Sequence, residues 1–504
     1  MRLQHSGTKE REFDALLTDA RARTRATGRP VLVSLVTEGP AIDVTGALEL
    51  VAPTTVFDGA LGELAGEARM CWARPADGFA LAGIGSVITI AANGPARFDT
   101  VNQAWKTLLE DALVVDPSGT APGAGPVLMG GFAFDAEGGR ADHWLNFGSA
   151  KLTVPRLHLA VVGDTSWITT TLLVGSDGQP DFDPAVLARL RTRALDVAHD
   201  SRRGATNRQR GGAVAFADAI PAAEWRALVT SAVSAIHEKQ FEKVVLARAV
   251  RARANRGVDV GAVLRHLISA HPDCHVFGCW RGDAVFVGAS PELLVGLAGR
   301  DVRASSLAGS VKRGATAAED IELADGLLES AKDREEHDVV RRSLCAGLAE
   351  LCDDVEAGDT PSLLTLPQVH HLHTAVRARL RPEHTLVDLV ARLHPTPAVG
   401  GEPRDAALTF ITAHERLDRG WYAAPIGWVG RGHGEFAVAL RSALLRGREA
   451  WLFAGCGIMA ESTPDGEFDE SLLKLRPMEL ALESSIAGDT ASETAPARLR
   501  EGSR

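Results

Sequence analysis

The feature that most constrains the fold is the alternation, after residue 213, of strand-like segments with helix-like segments. Four segments combine many apolar residues with the two-residue period of a strand: residues 241–252, 284–297, 434–445 and 451–459. Three segments are predicted as helices: residues 221–239, 317–351 and 467–482. Long, partly antiparallel strands that alternate with packed helices predict an α+β fold. Pro291 interrupts one of these strands and predicts a bulge or a strand end there.

Before residue 213 the pattern is less regular. Residues 1 to about 115 mix short apolar runs with polar turns, which predicts strands with a few helices. Residues 127–134 and 167–174 predict two more strands. A Pro/Gly-rich loop at 116–126 separates these parts.

The organisation of the chain depends on residues 200–212, which are polar, basic and glycine-containing. This composition fits a linker, and it fits equally well a surface loop inside one continuous domain. We predict an N-terminal α+β region at 1–212 and a catalytic region at 213–483. The tail at 484–504 is rich in Ser, Ala, Thr and charge, and we expect it to be disordered.

The composition excludes several classes of protein. The chain has 504 residues, of which 45% are hydrophobic and 24% charged, as in ordinary globular proteins. Its net charge of −11 argues against a nucleic-acid partner, although a local Arg or Lys can still hold a small anionic substrate. No apolar run reaches the ~18 residues of a membrane span, and no apolar secretory segment begins the chain. The six cysteines form no CxxC pair, so we expect reduced thiols in a cytoplasmic protein.

Two pairs of carboxylates are candidates for a metal site. Asp333 and Glu336 lie three residues apart in a predicted helix, and Glu467 and Glu470 repeat that spacing at the start of the last helix. If the two helices converge, the four negative charges need a cation, and Mg²⁺ prefers such oxygen ligands. The alternative is two solvated faces of surface helices, which the spacing alone favours.

Lys243 is a candidate general base. Strand alternation places it on one face with Val245, Ala247 and Ala249, so it could point into a cavity. Burial there would disfavour the charged ammonium, as a general base requires. The alternative is a lysine at a strand edge that reaches water.

Glu292 is a candidate proton donor because it lies between two apolar runs, directly after Pro291. Burial would raise the pKa of its carboxyl group. An exposed turn residue is an equally good interpretation of this position.

Arg441 is a candidate carboxylate ligand. Alternation places it on a face with Ala437 and Ala439, whose small side chains leave room for an anion that the guanidinium can bind with two parallel hydrogen bonds. Tyr422, the only tyrosine of the chain, could add a hydroxyl donor. The alternative for Arg441 is an internal ion pair.

Nine segments between about residues 220 and 482 together resemble the chorismate-utilising enzyme family, and they occur in the family's order. They are FEKVVLAR (241–248), GASPELL (288–294), LAGSVKRG (307–314), SAKDREEH (330–337), VHHL (369–372), LHPTPAVGG (393–401), VALRS (438–442), GCGI (455–458) and EFDESLLK (467–474). The resemblance implies the family fold, in which large antiparallel sheets pack face to face with helices outside.

Within this family the sequence looks like an isochorismate synthase. The resemblance implies a lysine base at Lys243, where anthranilate synthases usually have glutamine. Ala308 stands where aminodeoxychorismate synthases commonly have a nucleophilic lysine. Ser310 replaces the usual threonine but keeps the hydroxyl group.

The family roles, carried onto matching positions, make Glu292 the general acid. They place Mg²⁺ at Glu336 and Glu470, with Asp333 and Glu467 completing the shell through waters. The residues implied in binding chorismate are Ala308, Ser310, His371, Thr396, Tyr422, Arg441, Gly455 and Gly457.

Two other functions remain open at this point. A salicylate synthase would form isochorismate and then eliminate pyruvate, and a catalytically silent module would only bind chorismate. The long N-terminal half is similar to the menaquinone-type isochorismate synthases, with a catechol or salicylate siderophore pathway as the alternative. The resemblance also implies a monomer.

Overall fold

The computed structural model describes residues 3–52, 64, 68–200 and 212–486. Within these residues the chain forms eleven α-helices and 23 strands. The helices are α1 (Leu3–Thr27), α2 (Val44–Leu48), α3 (Arg97–Glu110), α4 (Pro184–Asp200), α5 (Ala222–His237), α6 (Val260–Ala270), α7 (Ala317–Glu329), α8 (Ala331–Ala349), α9 (Leu386–Leu393), α10 (Arg404–His414) and α11 (Pro464–Ile486). None of the helices in the described residues is long and apolar enough to cross a membrane.

The strands before residue 213 are β1 (Val31–Glu38), β2 (Arg69–Arg74), β3 (Phe79–Ile84), β4 (Ile88–Ala92), β5 (Leu113–Val115), β6 (Leu128–Phe132), β7 (Ala150–Val154), β8 (Leu157–Val162) and β9 (Thr165–Val174). The later strands are β10 (Val214–Asp218), β11 (Lys243–Ala254), β12 (His275–Arg281), β13 (Ala284–Ser290), β14 (Leu293–Ala298), β15 (Asp301–Lys312), β16 (Cys352–Ala357), β17 (Ser362–Thr365), β18 (Val369–Leu380), β19 (Gly401–Glu402), β20 (Pro425–Val429), β21 (His433–Val438), β22 (Ser442–Arg446) and β23 (Glu449–Ile458).

These strands form two sheets. The larger sheet has thirteen strands in the order β10-β11-β23-β22-β13-β12-β2-β3-β8-β9-β1-β5, with β19 paired to β11. The smaller sheet has ten strands in the order β16-β18-β15-β14-β21-β20-β6-β7-β4, with β17 paired to β18. Apart from the parallel pair of β1 and β5, the described strand pairs are antiparallel.

The main apolar core lies between the two sheets. Phe79 of the larger sheet stacks on Trp428 of the smaller sheet with ring centroids 5.7 Å apart, and both belong to one cluster of buried residues. On the outer face of the larger sheet, α6 and α11 bury a second apolar cluster, while α7 and α8 pack against β15 of the smaller sheet. Helix, sheet, sheet and helix layers confirm the predicted fold class.

Two segments predicted as single strands each pass from one sheet to the other. Residues 284–297 divide into β13 of the larger sheet and β14 of the smaller sheet, and Pro291 marks the division as predicted. Residues 434–445 divide into β21 and β22 in the same way. The prediction of one continuous strand there was wrong, because Arg441 has a φ of +47° and interrupts the extended backbone. The alternation argument for Arg441 therefore fails as well.

The predicted long helix at 317–351 is two helices. Ser330 separates them with an extended ψ of 112°, and its hydroxyl accepts a hydrogen bond from the backbone N–H of Asp333. Ser330 is thus the N-cap of α8, and a capping residue in that position begins a new helix rather than continuing the old one.

Strands from both sides of residue 212 share both sheets, since β2 pairs with β12 and β6 pairs with β20. The N-terminal region thus completes each sheet, and the boundary at residue 212 stays a prediction. Most of the candidate linker, residues 201–211, lies outside the described residues. The tail prediction is wrong for residues 484–486, which belong to α11, and residues 487–504 lie outside the described residues.

Candidate active site

One cavity gathers the predicted site residues. Its empty volume is about 930 Å³, open solvent at the mouth included, and its walls come from both sheets and from α8 and α11. The residues that line it lie between Lys243 and Lys474 in the chain, within the region predicted to be catalytic. Of the fourteen predicted site residues, thirteen line this cavity, and Thr396 does not.

Lys243 is the first residue of β11 and its side chain is only 1% exposed. Its Nζ donates a hydrogen bond to Oε1 of Glu336 over 2.8 Å. β11 pairs with β19 on one side and β23 on the other, so the lysine cannot reach water from a strand edge. The structure therefore excludes the alternative of a solvated lysine.

Glu292 lies where the chain passes between the sheets, directly after Pro291, and it is 2% exposed. Burial raises the pKa of its carboxyl group to about 8, although Lys243 and Lys474 oppose this effect. The carboxyl group therefore holds its proton at neutral pH and can donate it. Its burial excludes the alternative of an exposed turn residue.

Hydrogen bonds join the two chain segments that pass from one sheet to the other. The hydroxyl of Ser290 donates to the carbonyl of Val438 over 2.6 Å, and the N–H of Val438 donates to the carbonyl of Glu292 over 3.1 Å. The N–H of Ala289 donates to the carbonyl of Arg441 over 3.2 Å. These bonds hold Glu292 and Arg441 at one place in the fold, although about 150 residues separate them in the chain.

The carboxylates come from two helices that the structure brings together. α8 carries Asp333 and Glu336, and α11 carries Glu467 and Glu470. Burial raises the pKa of Asp333, and the negative charges of Glu336 and Glu470 add to that effect. At Glu336 burial acts in the same direction, but the positive charge and hydrogen bond of Lys243 outweigh it and lower the pKa. The alternative of two separate solvated faces is therefore excluded.

Glu467 has the features of a cation ligand. Its Oε1 accepts a hydrogen bond from the hydroxyl of Ser462 over 2.6 Å, whereas its Oε2 is buried without a hydrogen-bond partner. Burial, together with the charge of Glu470, raises the pKa of Glu467 to about 7. A cation would satisfy the orphaned oxygen and relieve the repulsion.

The thiol of Cys456 lies beside these carboxylates, but it does not change the type of metal ion that fits the site. Ligand atoms of Cys456, Glu467 and Glu470 lie within 4.8 Å of one another. However, burial raises the pKa of the Cys456 thiol, whose Sγ donates to the backbone carbonyl of Glu467. The oxygen donors therefore remain, and oxygen donors suit a hard cation such as Mg²⁺.

Lys474 is a cavity residue that the sequence analysis missed. Its Nζ lies 2.6 Å from Oε1 of Glu470 and donates to the carbonyl of Gly455 over 3.1 Å. Burial by itself would favour the neutral amine, but Glu470 outweighs it and raises the pKa of Lys474 above its ordinary value. The spacing of four residues between Glu470 and Lys474 on one helix is a signal that could have found it.

Arg419 also lines the cavity and was also missed. Its two Nη groups donate to the carbonyls of Val399 and Val245 over 2.9 and 2.7 Å, and it forms a buried ion pair with Glu415. Oε2 of Glu415 accepts from the backbone N–H of Ala247 over 2.8 Å. This pair ties the strand of Lys243 to the loop that precedes β19. No sequence pattern that we used indicates this role.

Gly455 and Gly457 provide space in β23. A Cβ atom at Gly457 would lie 2.6 Å from Oε1 of Glu336 and 2.9 Å from Cε of Lys243. A Cβ atom at Gly455 would lie 2.9 Å from the hydroxyl oxygen of Tyr422. Any larger residue at either position would therefore displace groups of the site.

Tyr422 is buried in the cavity wall, and its ring stacks on Phe453 with centroids 5.3 Å apart. Burial raises the pKa of its phenol, which therefore keeps its proton and can donate a hydrogen bond. Ala308 lines the same cavity beside a register shift of β15, where Gly309 has a φ of +78°.

Arg441 is held by a histidine rather than by a carboxylate. Its Nη2 lies 2.7 Å from Nε2 of His371, whose Nδ1 lies 2.9 Å from Oγ of Ser310. The other terminal nitrogen, Nη1, is buried without a hydrogen-bond partner. In the described part of the chain no carboxylate pairs with Arg441, which excludes the alternative of an internal ion pair.

The structure does not bring Thr396 into the cavity. Its carbonyl accepts hydrogen bonds from the N–H groups of Val399 and Gly400 over 3.0 and 2.9 Å. This turn directs Ala398 and Val399 to the cavity instead. Thr396 is thus not among the residues that line the cavity, and its contact with the substrate stays a prediction.

The comparisons with known proteins agree with this geometry. A family described as chorismate binding enzyme matches residues 20–483. The salicylate biosynthesis isochorismate synthase of Pseudomonas aeruginosa is 40% identical over 405 residues, which cover 80% of this chain and 83% of that protein. The isochorismate synthase MenF of Bacillus subtilis is 34% identical over 447 residues, which cover 88% of this chain and 93% of that protein.

A solved structure shows the same fold. The menaquinone-specific isochorismate synthase MenF from Escherichia coli superposes with a TM-score of 0.70 at 23% identity. The superposition covers 92% of this chain and 99% of that one. The similarity includes the N-terminal strands as well as the cavity region.

Proposed function

The chain belongs to the chorismate binding enzyme family, and we propose that it isomerises chorismate to isochorismate. The observation that carries the proposal is the placement of Lys243 and Glu292 in one cavity. The carboxyl group, with a pKa raised to about 8 by burial, can give a proton, and the amine of Lys243 can accept one once it has lost its own proton. The reaction requires one group of each kind.

In the proposed reaction, Lys243 accepts a proton from a water molecule as the water attacks ring carbon 2 of chorismate. Glu292 gives its proton to the hydroxyl group that leaves carbon 4, and the ring double bonds shift between these carbons. One water enters and one leaves, so the atoms balance. Because substrate and product are isomers with similar bonding, we expect a readily reversible reaction.

The carboxylates fit a cation, as the orphaned oxygen of Glu467 indicates. We propose that Glu336 and Glu470 hold Mg²⁺, with Asp333 and Glu467 beside them. A bound Mg²⁺ would neutralise the ring carboxylate of the substrate and charge that develops beside it. Arg441 and Tyr422 would bind and orient the substrate from the other walls.

The experiment that tests this function is product analysis from chorismate. The purified full chain is incubated with chorismate and Mg²⁺, with and without EDTA, and the products are separated by chromatography. We expect isochorismate in equilibrium with chorismate, the same mixture when the reaction starts from isochorismate, and no conversion with EDTA. Conversion that EDTA does not reduce would contradict the proposed metal.

The same experiment tests the two alternatives. Fluorescent salicylate as the final product would indicate a salicylate synthase, and no product under any metal condition would indicate a silent binding module. The menaquinone branch stays a prediction, because the similar proteins include a salicylate biosynthesis enzyme as well as MenF. The monomeric state and the cytoplasmic location also stay predictions.

A further inference from the structure

His371 lies between a group that can only donate hydrogen bonds and a hydroxyl group. The guanidinium of Arg441 carries N–H donors and no acceptor, so Nε2 of His371, 2.7 Å from Nη2, must accept. The proton of a neutral ring then sits on Nδ1, 2.9 Å from Oγ of Ser310, which accepts it together with the backbone carbonyl of Gly309. Burial, together with the charge of Arg441, holds the pKa of His371 well below its ordinary value, which agrees with a neutral ring.

This arrangement leaves two donors for a ligand. Because the hydroxyl oxygen of Ser310 accepts from His371, its own hydrogen is available to another acceptor. Nη1 of Arg441 is buried without a hydrogen-bond partner. Ser310 and Arg441 line the same cavity, and two donors in one cavity wall match the two oxygens of a carboxylate.

The backbone of Arg441 is already fixed. Its φ of +47° lies in the left-handed region, and its carbonyl accepts from the N–H of Ala289 over 3.2 Å. The remaining freedom belongs to the long side chain. In the described residues, the hydrogen bond from Nη2 to His371 is the polar contact that limits it.

We propose that His371 is a positioning residue that holds Arg441 and Ser310 as paired donors for one carboxylate of the substrate. The proposal rests on the proposed function, because chorismate supplies that carboxylate. It assigns to His371 a role through its two ring nitrogens, and proton transfer is not part of that role.

Two substitutions test the roles of the two ring nitrogens of His371 separately. In His371→Gln the amide oxygen can occupy the place of Nε2 and still accept from Arg441. In His371→Asn the amide nitrogen can occupy the place of Nδ1 and donate to Ser310, but the side chain is too short to reach Arg441. We expect KM for chorismate to stay within about threefold in His371→Gln and to rise about tenfold or more in His371→Asn, since a charge-assisted hydrogen bond is lost.

Two different results would contradict the proposal, and the kinetics tells them apart. Equal KM values in the two variants would overturn the positioning role, and a loss of kcat at unchanged KM in both would make His371 a participant in the chemistry instead. If His371→Asn does not fold, Ser310→Ala and Ser310→Thr replace it. We then expect KM to rise in Ser310→Ala and to stay near the original value in Ser310→Thr, which keeps the hydroxyl donor.

The tautomer can be observed directly. In protein labelled with ¹⁵N-histidine, the signals that disappear in His371→Gln belong to His371. We expect a protonated Nδ1 and an unprotonated Nε2, and a protonated Nε2 would overturn the proposal. Failure of the original protein to form isochorismate would overturn the proposed function and the identity of the carboxylate, whereas the KM pattern in an active enzyme tests His371 alone.

Discussion

The two ends of the cavity hold buried side chains of opposite charge. The acidic end consists of Asp333, Glu336, Glu467 and Glu470 together with Lys243, which pairs with Glu336, and the arginine end consists of Arg441, His371 and Ser310. At the acidic end, Glu336 and Glu470 form ion pairs with lysines. At the arginine end, the charge of Arg441 is held by a neutral histidine.

Each end also contains one buried polar atom without a hydrogen-bond partner. At the acidic end it is an acceptor, Oε2 of Glu467, and at the arginine end it is a donor, Nη1 of Arg441. The acidic end is therefore suited to a cation and the arginine end to an anion. This difference indicates that substitutions at the acidic end change turnover, whereas those at the arginine end change substrate affinity.

The largest effect is expected for Lys243→Ala. The variant should keep the fold and lose isomerase turnover by roughly 10²–10⁴-fold, because it removes the proposed general base. Steady-state kinetics with chorismate measures kcat and KM separately. The matched control is Lys312→Ala, which removes an exposed lysine of β15 outside the cavity. Near-normal kcat in Lys243→Ala would remove the role of this residue and the claim that the acidic end controls turnover.

A smaller and different effect is expected at the arginine end. Arg441→Lys keeps the positive charge but loses the planar group that can bond His371 and a carboxylate at once. We expect KM to rise on the order of tenfold to a hundredfold while kcat changes less. Arg431→Lys, at an exposed turn, is the control. A loss of kcat without a change of KM would contradict the division between the two ends.

Gly457→Ala tests whether the acidic end tolerates a Cβ atom at position 457. The added Cβ would lie 2.6 Å from Oε1 of Glu336 and 2.9 Å from Cε of Lys243, so these groups must move. We expect the free energy of unfolding to fall by about 1–3 kcal/mol, as for other overpacked sites. Gly326→Ala in α7 has no heavy atom within 4 Å of the new Cβ and should stabilise the chain by about 0.5–1 kcal/mol. Thermal melts that shift in the same direction for both variants would contradict this difference.

The acidic end could be predicted from the sequence more completely than the arginine end. The spacing of Asp333 and Glu336, repeated by Glu467 and Glu470, depends only on helical geometry, which is local. Their convergence required the family resemblance, because no local pattern shows which helices meet. Lys474 follows the same helical geometry, because it lies four residues after Glu470 on one helix.

The arginine end depends on features that a local pattern does not show. Alternation looks continuous where a strand leaves one sheet and enters the other, since the residues stay apolar in both. Pro291 marked one such passage, but nothing marks the left-handed backbone of Arg441, because arginine has no preference for that conformation.

The last prediction is a pH dependence of stability that comes from Glu292, which lines the same cavity. Burial raises the pKa of this group to about 8 in the folded protein from an ordinary value of 4.5. The folded state therefore binds more protons than the unfolded state between these values. The stabilisation is fully present below pH 4.5 and is lost as the pH rises through 8, with a slope of at most about 1.4 kcal/mol per pH unit.

Glu292→Gln removes the titrating group and keeps the size of the side chain. We expect its melting temperature to rise relative to that of the original protein as the pH increases from 6 to 9, while Glu322→Gln, an exposed substitution in α7, shows no such trend. If the difference between Glu292→Gln and the original protein were independent of pH, the carboxyl group of Glu292 would not be held in its protonated form by the fold. A group that ionises as readily as in water could not serve as the proton donor at neutral pH, so only the acidic end would remain as a candidate source of catalysis.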